Sequence, residues 1–184
     1  MSERRFAKRP WSVPVAVAEI PETGQRIDLA PNAAIRAAVA EVAGVAGLPR
    51  LEAAFELTRF GQDGLRVVGR VSATVEQNCV VTLEPLQNQI DETVDVLFAP
   101  PRMAAPKATD TAATRESDRG EAPEALCDGQ VDLGALATEF LILGIDPYPR
   151  RPGAVFDAPA AGDPSAHPFA ALAALKRDSG EIDG

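Results

Sequence analysis

The sequence predicts an α+β protein in which an antiparallel β-sheet is covered on one face by two helices, with a disordered insertion and a disordered C-terminal tail. Three observations carry this. Two-residue alternation of apolar and polar positions runs through Leu51–Leu57 and resumes through Leu65–Val75, with Asp63-Gly64 at the turn between them. Apolar residues recur at helical spacing in two places, after Asn32 and after Asp132. Between Pro100 and Pro123 all periodicity stops, and Pro, Ala, Thr and charged residues take over. The text leaves open whether the sheet closes partly into a barrel.

Taken in order, Trp11–Ile20 reads as an extended edge segment, since Val13, Val15 and Val17 alternate and Pro14 cannot donate to a central ladder. Pro21-Glu22-Thr23-Gly24 is a turn, and Arg26-Ile27-Asp28-Leu29 leads to Pro31. Asn32 caps a helix over Asn32–Ala43 with Ile35, Val39 and Val42 on one face; Gly44, Gly47 and Pro49 end it. In the hairpin that follows, Leu51, Ala53, Phe55 and Leu57 face the core on the first strand. Leu65, Val67, Gly69, Val71, Ala73 and Val75 face it on the second, leaving Arg66, Val68, Arg70, Ser72, Thr74 and Glu76 outside. Cys79–Leu83 continues in β-branched style until Glu84-Pro85. A further strand covers about Ile90–Phe98, with Val94, Val96 and Phe98 inward and Asp91 and Asp95 outward.

After the insertion, Asp132 caps a second helix, Asp132–Leu143, whose Leu133, Leu136, Ala137, Phe140 and Leu141 lie on a core, and Gly144 stops it. Prolines at 147, 149 and 152 hold the next segment extended. The resulting organisation is a basic flexible segment at 1–10, one domain at 11–156 interrupted at about 100–124, and a flexible tail at 157–184. Within the tail, Pro168–Leu175 has the composition of a short apolar helix. No internal repeat is present.

With 184 residues the chain is long enough to bury a core without a disulfide or metal staple. Phe55, Phe60, Phe98 and Phe140 are its expected large fillers. A net charge of -9 repels nucleic-acid phosphate and argues against autonomous, sequence-independent RNA binding. Positive charge is local, at Arg4, Arg5, Lys8 and Arg9 and again at Arg150 and Arg151. Cys79 and Cys127 are far apart, and the sole histidine, His167, lies in the tail, so neither a zinc site nor any other cofactor is expected. No apolar run approaches a membrane span and no hydrophobic signal core follows the basic N-terminus, so a cytoplasmic location is expected.

Two segments carry a resemblance. The first is Cys79-Val80-Val81-Thr82-Leu83-Glu84-Pro85. The second is Val131-Asp132-Leu133-Gly134-Ala135-Leu136-Ala137-Thr138-Glu139-Phe140-Leu141 with Asp146-Pro147-Tyr148-Pro149. With the Pro-rich spacer between them, the opening Trp11-Ser12-Val13-Pro14-Val15 and the closing His167–Leu172, they resemble the YceD-like family of large ribosomal RNA subunit accumulation proteins in its alphaproteobacterial form. The likeness covers most of 11–156. Its motif positions here are Cys79, Thr82, Leu83, Pro85, Asp132, Leu133, Glu139, Phe140, Pro147 and Pro149. The resemblance implies a role in synthesis, processing or accumulation of large-subunit (23S) ribosomal RNA and implies no catalytic residues. Many relatives carry CxxC at the first motif. Here Thr82 holds the second position, which weakens any metal or redox role and makes Cys79 a small buried hydrophobe.

Three functions are weighed. The first is a non-enzymatic ribosome-biogenesis factor acting through a protein or ribonucleoprotein partner. The second is direct ribosomal RNA binding, with Arg66, Arg70, Arg150 and Arg151 as phosphate contacts. The third and most remote is a hydrolytic enzyme, against which stands the lack of a GxSxG, a phosphate loop or paired histidines. The oligomeric state is left open by the text.

Overall fold

A computed structural model describes residues 9–61, 63–101 and 123–156. The segment at 1–10 falls largely outside these residues, and most of the insertion and the tail with its Pro168–Leu175 stretch and His167 fall wholly outside them. The chain divides into two units, Met1–Pro152 and Gly153–Gly184. Of the second, residues 153–156 are described: a turn with Gly153 at φ +78°, then irregular chain.

In the first unit the alternating segments form long strands because one set of side chains is apolar and has a face to cover. The elements are β1 (Pro14–Ala16), β2 (Gln25–Leu29), α1 (Ala33–Ala43), β3 (Gly47–Phe60), β4 (Gly64–Asn78), β5 (Pro85–Ala99), β6 (Glu124–Ala125), β7 (Gln130–Asp132) and α2 (Leu133–Gly144). The main sheet has the order β2-β3-β4-β5-β6, antiparallel except for the two-residue parallel pairing of β6 with β5. Among the described residues it stays open at both edges and does not close into a barrel. β1 and β7 form a separate antiparallel ribbon, with Pro14 opposite Asp132.

The core lies between one face of this sheet and both helices. Phe55, Leu57, Leu65, Val67, Val71 and Val75 from β3 and β4 are fully buried with Val39 of α1 and Leu133 and Leu141 of α2. Both helix starts are capped as expected. The Asn32 side chain accepts from the N–H of Ile35, and the Asp132 carboxylate accepts from that of Ala135. Gly69 interrupts the inward row because Phe55 and the Ala54 carbonyl lie over it, leaving no space for a Cβ.

Several expectations are corrected. The N-terminal strand is only Pro14–Ala16, and a 3-10 turn follows at Val17–Glu19. Residues 25–29, read only as a lead-in, are a strand pairing with β3. Val42 is exposed, because α1 turns that side of its stripe to solvent. Phe60 is 54% exposed and fills no core, whereas Phe98 and Phe140 are half-buried against it. In the hairpin turn the positive φ falls on Gly61, at +64°, and Gly64 already opens β4 opposite Phe60. Cys79–Leu83 is a tight turn and no strand, and β5 begins at Pro85, five residues before the expected Ile90.

Candidate functional site

The sequence motifs, far apart in the chain, meet at two places flanking α2. At its N-terminus, the carboxylate of Asp132 gathers four donors. They are the N–H groups of Val13 at 2.8 Å and Ala135 at 3.1 Å, the Ser12 hydroxyl at 2.8 Å and the Arg9 guanidinium at 3.0 Å. Burial pushes this carboxyl up, but the hydrogen bonds together outweigh it and hold the group below the usual carboxylate range. The N–H of Leu133 donates in turn to the Val13 carbonyl at 2.9 Å. The Trp11–Val15 motif and the Asp132 motif are therefore one structural joint.

Beyond the C-terminus of α2, the Pro147–Pro149 strap lies along the β4–β5 turn. The N–H of Val80 donates to the Pro149 carbonyl at 2.9 Å, and the Gln77 amide donates to the Asp146 carbonyl at 2.9 Å. The turn closes on itself through Cys79 N–H to the Glu84 carbonyl and Leu83 N–H to the Cys79 carbonyl. Leu83 holds φ +60°, an unusual conformation for a branched side chain, and is 76% exposed. Tyr148, on the strap, is 71% exposed.

Cys79 is buried, as expected, yet it is no passive hydrophobe. Its Sγ accepts the N–H of Arg151 at 3.4 Å and that of Thr82 at 3.5 Å. The Arg151 amide, then the Thr82 side chain and amide, favour the thiolate over the burial that opposes it, and bring the thiol to about 6. The Arg151 side chain bonds Glu84 at 2.6 Å, and this pairing, helped by the Thr82 hydroxyl, lowers the Glu84 pKa. Among the described residues no group of three His, Cys, Asp or Glu side chains is placed to hold a metal ion.

The four arginines considered for phosphate binding are not brought together. Arg66 and Arg70 point outward from β4, but Arg66 forms a two-pronged pair with Asp95 at 2.9 and 2.7 Å, and Arg70 bonds Asp91 at 2.7 Å. The Arg66 hydrogen bonds hold Asp95 below its ordinary pKa. Arg150 and Arg151 lie past the opposite end of β4, roughly 40 Å from Arg66 at the rise of a strand. Arg150 alone of the four has no side-chain partner among the described residues. Glu139 is exposed on α2 and meets neither Arg150 nor Arg151. Of the other motif positions, Leu133 and Pro149 are buried, Phe140 is half-buried, and Thr82, Pro85 and Pro147 are exposed.

The sequence did carry a signal for the missed carboxylate partners. Arg66 and Arg70 are four apart, as are Asp91 and Asp95, so antiparallel strands that align one pair align the other. In the observed register, Arg66 faces Leu97 and Arg70 faces Thr93, which puts each aspartate on the same diagonal. Tyr148 and the left-handed Leu83 gave no such signal.

A search of the curated proteins and a search of the solved structures return no match. A family model does match, over residues 67–176, more than half of the chain. It begins inside β4, so β1 to β3 and α1 precede it, and it takes in the β4–β5 turn, the strap and Asp132, but not the partners of Asp132 at Arg9, Ser12 and Val13. Its description names accumulation of large-subunit ribosomal RNA and no reaction. Among the described residues no helix is long and apolar enough to cross a membrane. The chain belongs to the YceD family of large ribosomal RNA subunit accumulation proteins.

Proposed function

We propose that this protein is a non-enzymatic factor that supports accumulation and processing of 23S ribosomal RNA in the cytoplasm by engaging a protein or ribonucleoprotein partner. Family membership supplies the process, and the charge pattern of the sheet carries the choice of partner. On the outer face Arg26 is paired with Asp28, Arg50 with Glu52, Arg66 with Asp95 and Arg70 with Asp91. A phosphate backbone approaching that face must displace a carboxylate from each guanidinium it takes, on a chain of net charge -9. The Cys79–Pro85 turn and its proline strap form a hydrogen-bonded tip with Leu83 and Tyr148 exposed, suited to contact with another macromolecule.

Direct contact with RNA is the second reading, and Arg150 with Tyr148 favours it: a guanidinium without a side-chain partner among the described residues, two positions from an exposed aromatic ring, can meet a phosphate and a base. Removal of the chain from cells, with large-subunit rRNA measured against small-subunit rRNA, tests the process; an unchanged ratio refutes it. Affinity purification with and without RNase separates the readings. Partners retained after RNase support the first, and partners lost after RNase support the second.

A further inference from the structure

We propose that the cleft between the end of β5 and α2 is a docking site for an extended segment of a protein partner that carries alternating apolar and basic residues and adds a strand to the β5 edge. This deepens the functional reading above and rests on it. Three independent features coincide at this place.

The first is apolar surface. A cleft of about 740 Å³ is lined by Phe60, Val96, Phe98, Leu136, Phe140 and Leu143. Phe60 is 54% and Leu143 71% exposed, so large apolar groups stand at its lip without cover from the described residues. The second is charge. Asp95, Glu124 and Glu139 also line the cleft, against one cation, Arg66, which is already committed to Asp95. Such a rim attracts lysine and arginine and repels phosphate.

The third feature is the backbone. β5 is fifteen residues long and pairs with β4 from Pro85 to Phe98, but on its other side, among the described residues, β6 reaches only Phe98 and Ala99. From Leu86 to Leu97 no backbone group of the described residues bonds to that side. An added strand satisfies those groups, sends alternate side chains into the apolar floor on the α2 side, beside Glu139 and Glu124, and turns the others toward Asp91 and Asp95 on the outer face. A second copy of this chain is a poor occupant. Pairing β5 with β5 sets Asp91, Glu92 and Asp95 of both copies along one seam, where like charges oppose each other.

The test uses the full chain and a fluorescein-labelled synthetic peptide of alternating valine and lysine, with a valine–glutamate peptide as its counterpart. Leu143→Ser and Glu139→Lys alter exposed positions on α2, so folding is retained and checked by circular dichroism. The expected result is saturable binding of the lysine peptide that weakens with salt and falls about tenfold in the Leu143→Ser protein. Glu139→Lys also weakens it, and alternate amides between Leu86 and Leu97 gain protection from hydrogen exchange. Equal binding of the glutamate peptide, no binding, or indifference to both substitutions overturns the proposal. So does protection of those amides in the unliganded monomer, which assigns the edge to another part of this chain, or a dimer that Leu143→Ser dissolves, which assigns it to a second copy. In cells, normal rRNA levels with a Leu143→Ser chain, where removal of the chain lowers them, overturn the docking site and leave the functional reading intact. Normal levels after removal defeat the functional reading, and the peptide measurement still decides the cleft.

Discussion

Asp132 is the side chain whose loss the fold should feel most, because one carboxylate serves both a helix cap and a joint between segments about 120 residues apart. Replacing it with alanine removes the cap on Ala135, a loss of about 1 kcal/mol. It also strands the half-buried N–H of Val13, whose charge-assisted bond at 2.8 Å contributes about 2 kcal/mol. The Arg9 contact adds little, since its guanidinium is half exposed while the carboxylate is only 13% exposed. The sum is about 3 kcal/mol, which in urea unfolding followed by circular dichroism moves the midpoint by about 1–2 M at unchanged slope. Asp132→Asn keeps an oxygen for the cap and isolates the charge. The native carboxyl is held below its ordinary value, so its contribution is complete above the unfolded pKa near ~4 and is lost as pH falls through the lower native one. The stability gap between wild type and Asp132→Asn is therefore constant from neutral pH to about pH 5 and narrows in more acid solution. An Asp132→Ala protein within about 0.5 kcal/mol of wild type, or a gap that does not change with acid, refutes this account of the joint.

Three further outcomes follow from the same geometry. Gly69→Ala drives a methyl group into the Ala54 carbonyl and the Phe55 ring, and thermal unfolding should report a loss of about 1–3 kcal/mol. The Cys79 thiol should titrate at about 6 when thiolate absorbance is followed in the folded protein, and in the ordinary range above 8 after unfolding in urea. Its depressed value makes stability rise with pH between those two points, and Cys79→Ala should flatten that rise; a native thiol titrating near its unfolded value refutes the role of the two N–H donors. Arg66→Ala should leave the melting temperature close to wild type, because the pair with Asp95 is exposed on both sides. A clear drop in melting temperature contradicts that reading of the outer face.

Alternation made the β3–β4 hairpin legible residue by residue, since a row of Leu, Val and Phe at every second position has only one face to bury. The helix starts were legible for a similar reason: Asn32 and Asp132 each precede an apolar stripe and offer a side-chain oxygen at capping distance. Propensity misled at Cys79–Leu83. Two valines and a threonine read as strand, but the turn is set by contacts from outside the segment, the Pro149 carbonyl on Val80 and the Arg151 amide on Cys79. Those partners are about 70 residues away, and no local pattern announces them. The same limit hid the pairing of Arg66 and Arg70. Their spacing was visible, but phosphate contact and ion pairing stay equally open until the register of β4 against β5 is known.

The placement of the motif residues gives them a shared task. Asp132 fixes the first turn of α2 to β1, and the Asp146–Arg151 strap fixes the chain beyond its last turn to the β4–β5 connection. Both anchors act on the helix whose exposed flank, Glu139 and Leu143, forms one wall of the cleft beside β5. A wall held at both ends keeps its distance from the strand, and a preformed groove avoids the ordering cost that a mobile one incurs when a partner arrives. The motifs thus need not touch a partner to matter for recognition. Their hydrogen bonds determine where α2 lies, and the position of α2 determines what the open edge of β5 can accept.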